Sequence, residues 1–174
     1  MAKKDVTITL IMSEMIYDIQ NKSYLKGRSQ TEADAAHRAY MQANNDDENL
    51  NQVLRSIGGA YGSLKSELSE YIEESATTGD NIMQANENIV VNLKMPENFN
   101  EAAVKVISEG LHKYIVNMAL ADWYKQTDPN DSDSYIKLAV ANMQEVHDGI
   151  NKRLRPQRTT PTPPTPPTPD PNAD

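Results

Sequence analysis

The sequence predicts a mainly α-helical protein: a helical bundle with a C-terminal antiparallel helix hairpin, a small β element and an extended proline-rich C-terminal arm. Three observations carry that expectation. Apolar residues recur at helical spacing through most of residues 1–154, only one later segment alternates cleanly, and residues 155–174 hold almost no apolar side chain except proline. With 174 residues the chain is expected to form one domain plus an appendage. We place the domain at 1–154, with a polar connector at 28–49, and the arm at 155–174. A domain of that size buries roughly 68–70% of its unfolded surface, enough for a core without staples.

Val6, Ile8 and Leu10 alternate, and Ile11, Met15 and Ile19, with Met12 and Ile16 beside them, then take up helical spacing. This predicts an extended lead into a helix ending near Leu25, with Gly27 as its stop. Leu50, Leu54, Ile57, Tyr61, Leu64, Leu68 and Tyr71 form the strongest helical stripe in the chain. Gly58, Gly59 and Gly62 interrupt it, which predicts a kink or a very close neighbour. Ile89, Val91, Leu93 and Met95 alternate up to Pro96 and read as a strand. A lone strand is unstable, so it needs either the Val6–Leu10 segment or a neighbouring subunit.

Asn98 or Asn100 is expected to cap a helix carrying Val104, Ile107, Leu111, Tyr114, Ile115, Met118 and Ala121 on one face. That helix stops before Asp128-Pro129. Asp131 or Ser132 is then expected to cap a last helix with Ile136, Ala139, Met143, Val146, Ile150 and Leu154 turned inward. The short turn between the two makes them an antiparallel hairpin.

The residues offer little chemistry. No cysteine is present, which excludes disulfides, thiolate metal sites and thiol catalysis. His37, His112 and His147 lack metal-ligand spacing and read as structural or surface residues. Asp128, Asn130, Ser132 and Ser134 imitate a calcium loop, but Asp133 stands where glycine is needed and Ala139 where glutamate is. Gly58-Gly59-Ala60-Tyr61-Gly62 lies within a helical stripe and lacks the lysine and hydroxyl of a phosphate loop. Glu73–Glu74 diverge on a helix, so they do not converge on a substrate. We expect a protein that is not an enzyme, with no cofactor and no metal. The methionines beyond Met1 fit core positions, with some serving adaptable contacts.

The net charge of −8 argues against gripping nucleic acid. No apolar run reaches membrane-spanning length and no signal peptide is legible, so a soluble intracellular protein is expected. Against the acidic background Lys152, Arg153, Arg155 and Arg158 cluster where the last helix gives way to the arm. Cations there complement the helix dipole. With a polyproline-type arm behind them, they also form a candidate dock for an acidic protein surface.

Leu111 to Gln126, reading Leu-His-Lys-Tyr-Ile-Val-Asn-Met-Ala-Leu-Ala-Asp-Trp-Tyr-Lys-Gln, leads to an acidic turn. Ser-Tyr-Ile-Lys-Leu-Ala-Val-Ala-Asn-Met-Gln-Glu-Val follows from Ser134, and Arg-Leu-Arg-Pro closes the helix. This pattern resembles the C-terminal hairpin of the head–tail connector (adaptor) proteins of tailed bacteriophages, and the likeness extends over residues 50–158. The resemblance implies a structural virion protein at the neck, made in the host cytoplasm and assembled as a twelve-membered ring. The ring would sit between portal and tail, with double-stranded DNA passing through unbound. It implies portal contacts at Lys152, Arg153, Arg155, Arg158, Pro161, Pro164 and Pro167, and contacts between copies at Tyr61, Ile89, Val91 and Leu93. Trp123 and Tyr124 would anchor the hairpin. The arm is longer than the tail usual in that family. The rival expectation is a bacterial helical protein–protein interaction module with the arm as a spacer.

Overall fold

The computed structural model describes residues 3–29, 39, 42–43, 47–79, 82–125 and 127–156. Its elements run β1 (Lys3–Leu10), α1 (Met12–Ser29), α2 (Asp47–Glu67), β2 (Ile89–Pro96), α3 (Val104–Tyr124) and α4 (Pro129–Ile150), with short 3-10 turns at Glu74–Ala76 and Glu101–Ala103. The fold is mainly helical with one small antiparallel sheet, as the sequence predicts. Among the described residues no helix is long and apolar enough to cross a membrane.

α3 is the central element. α1, α2, α4 and β1 all pack against it, and Ile107, Leu111, Ile115, Val116, Ala119, Leu120 and Tyr124 are closed off around much of its girth. The sequence stripe captured one face of this helix; Val116, Ala119 and Leu120 show that the apolar surface extends beyond it. α4 lies antiparallel beside α3, forming the expected hairpin. Its close approach depends on two glycines. A Cβ on Gly110 would come within 2.6 Å of Val146 Cγ2, and one on Gly149 within 2.7 Å of Ile107 Cγ1. Each helix thus offers a notch that takes a branched side chain of the other. Ser132 Oγ donates to Ala121 O (2.8 Å) and Asn117 Nδ2 to Asn142 Oδ1 (2.8 Å), pairing these polar groups across the seam.

β1 and β2 pair antiparallel from Lys3↔Pro96 to Leu10↔Ile89. The strand's partner is therefore the chain's own Val6–Leu10 segment. Val6, Ile8 and Leu10 face the core with Ile89, Val91, Leu93 and Met95. Residues 71–78 close the other side of β2, with an isolated bridge between Ile72 and Leu93. His112 Nε2 lies 2.9 Å from Asp18 Oδ2 and Lys22 Nζ donates to Asn117 Oδ1 (3.2 Å), joining α1 to α3. Burial lowers the pKa of Lys22, opposed by Asp18 and reinforced by Lys113.

Several expectations need correction. α1 runs through Gly27 to Ser29, because Gly27 sits buried inside the helix rather than beyond its end. α2 begins at Asp47, so the polar connector ends earlier than predicted; Asp47 and Glu48 favour a helix N-terminus. Residues 30–38, 40–41 and 44–46 of the connector lie outside the described residues. Gly59 and Gly62 have open space around them, so neither marks a close neighbour. α3 is preceded by a 3-10 turn capped by Asn100, whose Oδ1 accepts from Ala102 N (3.1 Å). α4 is capped by Asp128 rather than Asp131 or Ser132: its Oδ1 accepts from Asp131 N (3.3 Å), with Pro129 opening the helix. Asp131 instead pairs with Lys26 (2.5 Å). Ile136 and Leu154 face solvent, not the core.

The glycines give a direct check. Gly110→Ala forces a methyl onto Val146 and is expected to destabilise the protein by about 1–3 kcal/mol, as overpacking does. Gly59→Ala, with empty space around it, is expected to stabilise by up to about 1 kcal/mol through helix propensity. Denaturant unfolding of both variants measures the contrast.

Candidate partner-binding surface

The root of the arm is built by the ends of α3 and α4. Asn100 N donates to Lys152 O (3.1 Å) and Leu154 N to Asn98 O (2.9 Å), with Phe99 buried between them and bridged to Arg153. The chain therefore leaves α4 as a short extended piece antiparallel to residues 98–100, heading toward Pro96 and the start of β1. Lys4, which pairs with Glu101, lies at this same end.

The structure divides the predicted portal-binding cations by role. Arg153 Nη1 donates to Ile150 O (2.6 Å) and Lys152 O (3.3 Å), so this guanidinium closes the C-terminus of α4. Lys152 is exposed and lines a shallow groove with Glu145, Asp148 and Val106. Arg155 is exposed. Arg158, Pro161, Pro164 and Pro167 lie outside the described residues.

The predicted contacts between copies do not survive as such. Ile89, Val91, Leu93 and Tyr61 are buried in the chain's own core, at 1% exposure or less, so their side chains are unavailable to a neighbour. For the three strand residues the physical reason is the β1–β2 pairing, which turns the apolar face of β2 inward; Tyr61 lies on the face of α2 that packs into the core. Tyr61 donates from its hydroxyl to Thr78 O (2.5 Å), and burial, reinforced by Glu74, pushes its phenol up to about 12. Tyr124 is fully buried and stacks on Tyr135, with ring centroids 5.7 Å apart and planes 9° from parallel. Burial, then Tyr135 and the nearby Asp131 and Asp128, raise its pKa. Trp123 packs half-buried at the core's margin.

The sequence reading missed two exposed apolar surfaces. Tyr17, Tyr24 and Leu25 stand out from α1, with the Arg28 guanidinium 5.7 Å from the centre of the Tyr24 ring. Ile136 and Val140, one turn apart on α4, face solvent beside Met118 of α3 and Pro129. The signal for α1 was present: seven-residue spacing sets Tyr17 and Tyr24 on a stripe separate from Met12, Met15 and Ile19. For α4 the stripe drawn through Ile136 was about one position too wide. Among the described residues, no group of three or more His, Asp or Glu side chains converges to hold a metal ion.

The two buried phenols should behave oppositely when truncated. Tyr124 Oη has no hydrogen-bond partner among the described residues, so Tyr124→Phe is expected to leave stability unchanged or raise it by about 1 kcal/mol. Tyr61→Phe removes a made bond and is expected to cost about 1 kcal/mol. The folded Tyr61 value lies above the unfolded value of 10.0, so its contribution is complete below pH 10 and declines as pH rises toward 12. Unfolding midpoints measured across that range should fall less steeply in Tyr61→Phe than in the wild type.

Comparison with known protein families, with curated proteins and with solved structures finds no match to this chain.

Proposed function

We propose that the chain is a structural virion protein that assembles as a ring between the portal and the tail of a tailed bacteriophage, extending the channel through which double-stranded DNA passes. The observation that supports this most is the pair of unlike apolar surfaces on the outside of the bundle: aromatic with a cation on α1 (Tyr17, Tyr24, Arg28), aliphatic on α4 (Ile136, Val140). Clustered exposed apolar side chains are characteristic of interaction sites. Two unlike patches suit a heterologous contact, in which one copy's first patch meets the next copy's second, and such contacts close into rings when the rotation permits. The contact between copies thus passes to α1 and α4 from the buried residues at which it was first expected.

The charge of the chain is consistent with this role. A net charge of −8 gives a wall that repels phosphates, and DNA slides along a wall it does not adhere to. The portal contact belongs to the end of the molecule that carries Lys152, Arg155 and the root of the arm. The resemblance over residues 50–158 supplies the expected copy number.

Native mass measurement, on the chain alone and mixed with the portal from the same genome, tests the reading. The expected result is a small species alone that adds about twelve copies to the portal ring. Val140→Glu is expected to keep the monomer folded, since residue 140 faces solvent, while lowering the number of copies bound. A stable monomer or dimer that ignores the portal would contradict the reading and favour a helical interaction module with another partner.

A further inference from the structure

β2 is hydrogen-bonded on both sides. On the side away from β1, Lys94 N donates to Tyr71 O (2.7 Å), Glu73 N to Asn92 O (2.9 Å), Thr78 N to Val90 O (2.8 Å) and Val90 N to Thr78 Oγ1 (2.9 Å). Val90, Asn92 and Lys94 therefore point their backbone groups outward, and Ile89, Val91, Leu93 and Met95 form the ladder to Leu10, Ile8, Val6 and Lys4. It follows that the N–H and C=O groups of Lys3, Asp5, Thr7 and Thr9 point away from the sheet. Among the described residues none bonds to them, and all four side chains are exposed.

An open edge of this kind is a template for another strand. Native edges are usually protected by proline, bulges or inward charges. β1 pairs with β2 residue for residue without a bulge, contains no proline, carries charge on its outer face only at Lys3 and Asp5, and has its one inner-face charge, Lys4, paired with Glu101 at the strand's start. Thr7 and Thr9 are uncharged and β-branched, a composition that favours pairing.

We propose that the outer edge of β1 accepts an extended segment of a second protein, added as a third strand, and, resting on the function proposed above, that this protein is the portal. Neither β2 nor the arm fits the role. β2 has no free edge, and the arm has proline at 156, 161, 163, 164, 166, 167, 169 and 171, so it lacks the donors a ladder needs. Of the two described strands a second copy could offer only β1 itself, across a two-fold axis, which makes a dimer rather than a ring. The position of the edge points the same way. Lys3 pairs with Pro96, residues 98–100 hold the root of the arm, and Lys4 pairs with Glu101, so the edge starts at the end of the molecule assigned to the portal. The fitting segment is proline-free, with β-branched residues opposite Thr7 and Thr9 and a cation opposite Asp5.

Thr7→Pro tests this, because the Thr7 N–H bonds nothing in the chain and proline there spares the β1–β2 ladder while removing a donor from the edge. The variant is expected to keep the wild-type thermal midpoint and to bind the isolated portal at least about tenfold more weakly. Should proline prove disruptive, the double variant Thr7→Lys, Thr9→Lys keeps every backbone group and is expected to weaken portal binding through edge charge alone. Wild-type binding by folded variants would overturn the inference and leave the ring reading standing. No complex between the wild-type chain and the portal would overturn both. Loss of self-association with portal binding unchanged would give the edge to a second copy, against the proposal.

Discussion

The structure depends on how closely α3 and α4 approach. Val146 enters the notch at Gly110 and Ile107 enters the one at Gly149, each at a distance that leaves no room for a methyl group. Interiors are packed at crystal-like density, so this reciprocal fit fixes the axial register of the hairpin as well as its spacing. That register sets Ser132 under Ala121 O and Asn117 against Asn142. It also brings residues 152–154 alongside 98–100, which determines where the arm begins. α1, α2 and β1 then use the remaining surface of α3, so the inside of the protein is spent on its own folding.

Much of this was legible in the sequence, for identifiable reasons. Helical periodicity found α2, α3 and α4 because their apolar stripes are long and regular, and alternation found both strands. The Asp128-Pro129 pair announced the hairpin turn, although Asp128 proved to be the cap itself. Glycines were harder to read. Gly58, Gly59 and Gly62 drew notice because they cluster, yet Gly59 and Gly62 face open space; the close approaches occur at Gly110 and Gly149, which stand alone. Spacing along one chain cannot tell which glycine meets a neighbouring helix, since that depends on register between two segments.

The candidate surfaces were less legible, for a related reason. Ile89, Val91 and Leu93 have the composition of an interface, and the pairing of β1 with β2 decides that they belong to the core. Once that face is closed, what stays exposed is what the core does not require, the Tyr17–Tyr24 stripe, the Ile136–Val140 pair and the outer edge of β1 among it. Arg153 shows the same principle among the charges, since its guanidinium closes α4 while Arg155 two residues later remains exposed. An apolar or charged residue is available to a partner only after the fold's own needs are met.

The described sheet is completed within one chain and is open on one side only, along the outer edge of β1. Residue-resolved amide hydrogen exchange on the isolated chain and on the complex proposed with the portal tests this most directly. The N–H groups of Val91 and Leu93, bonded to β1, should be protected in the isolated chain and remain so. Those of Asp5, Thr7 and Thr9 should exchange freely alone and slow only in the complex. Free exchange at Val91 and Leu93 in the isolated chain, with protection gained only on assembly, would mean that the strand is completed by another subunit and would contradict the account.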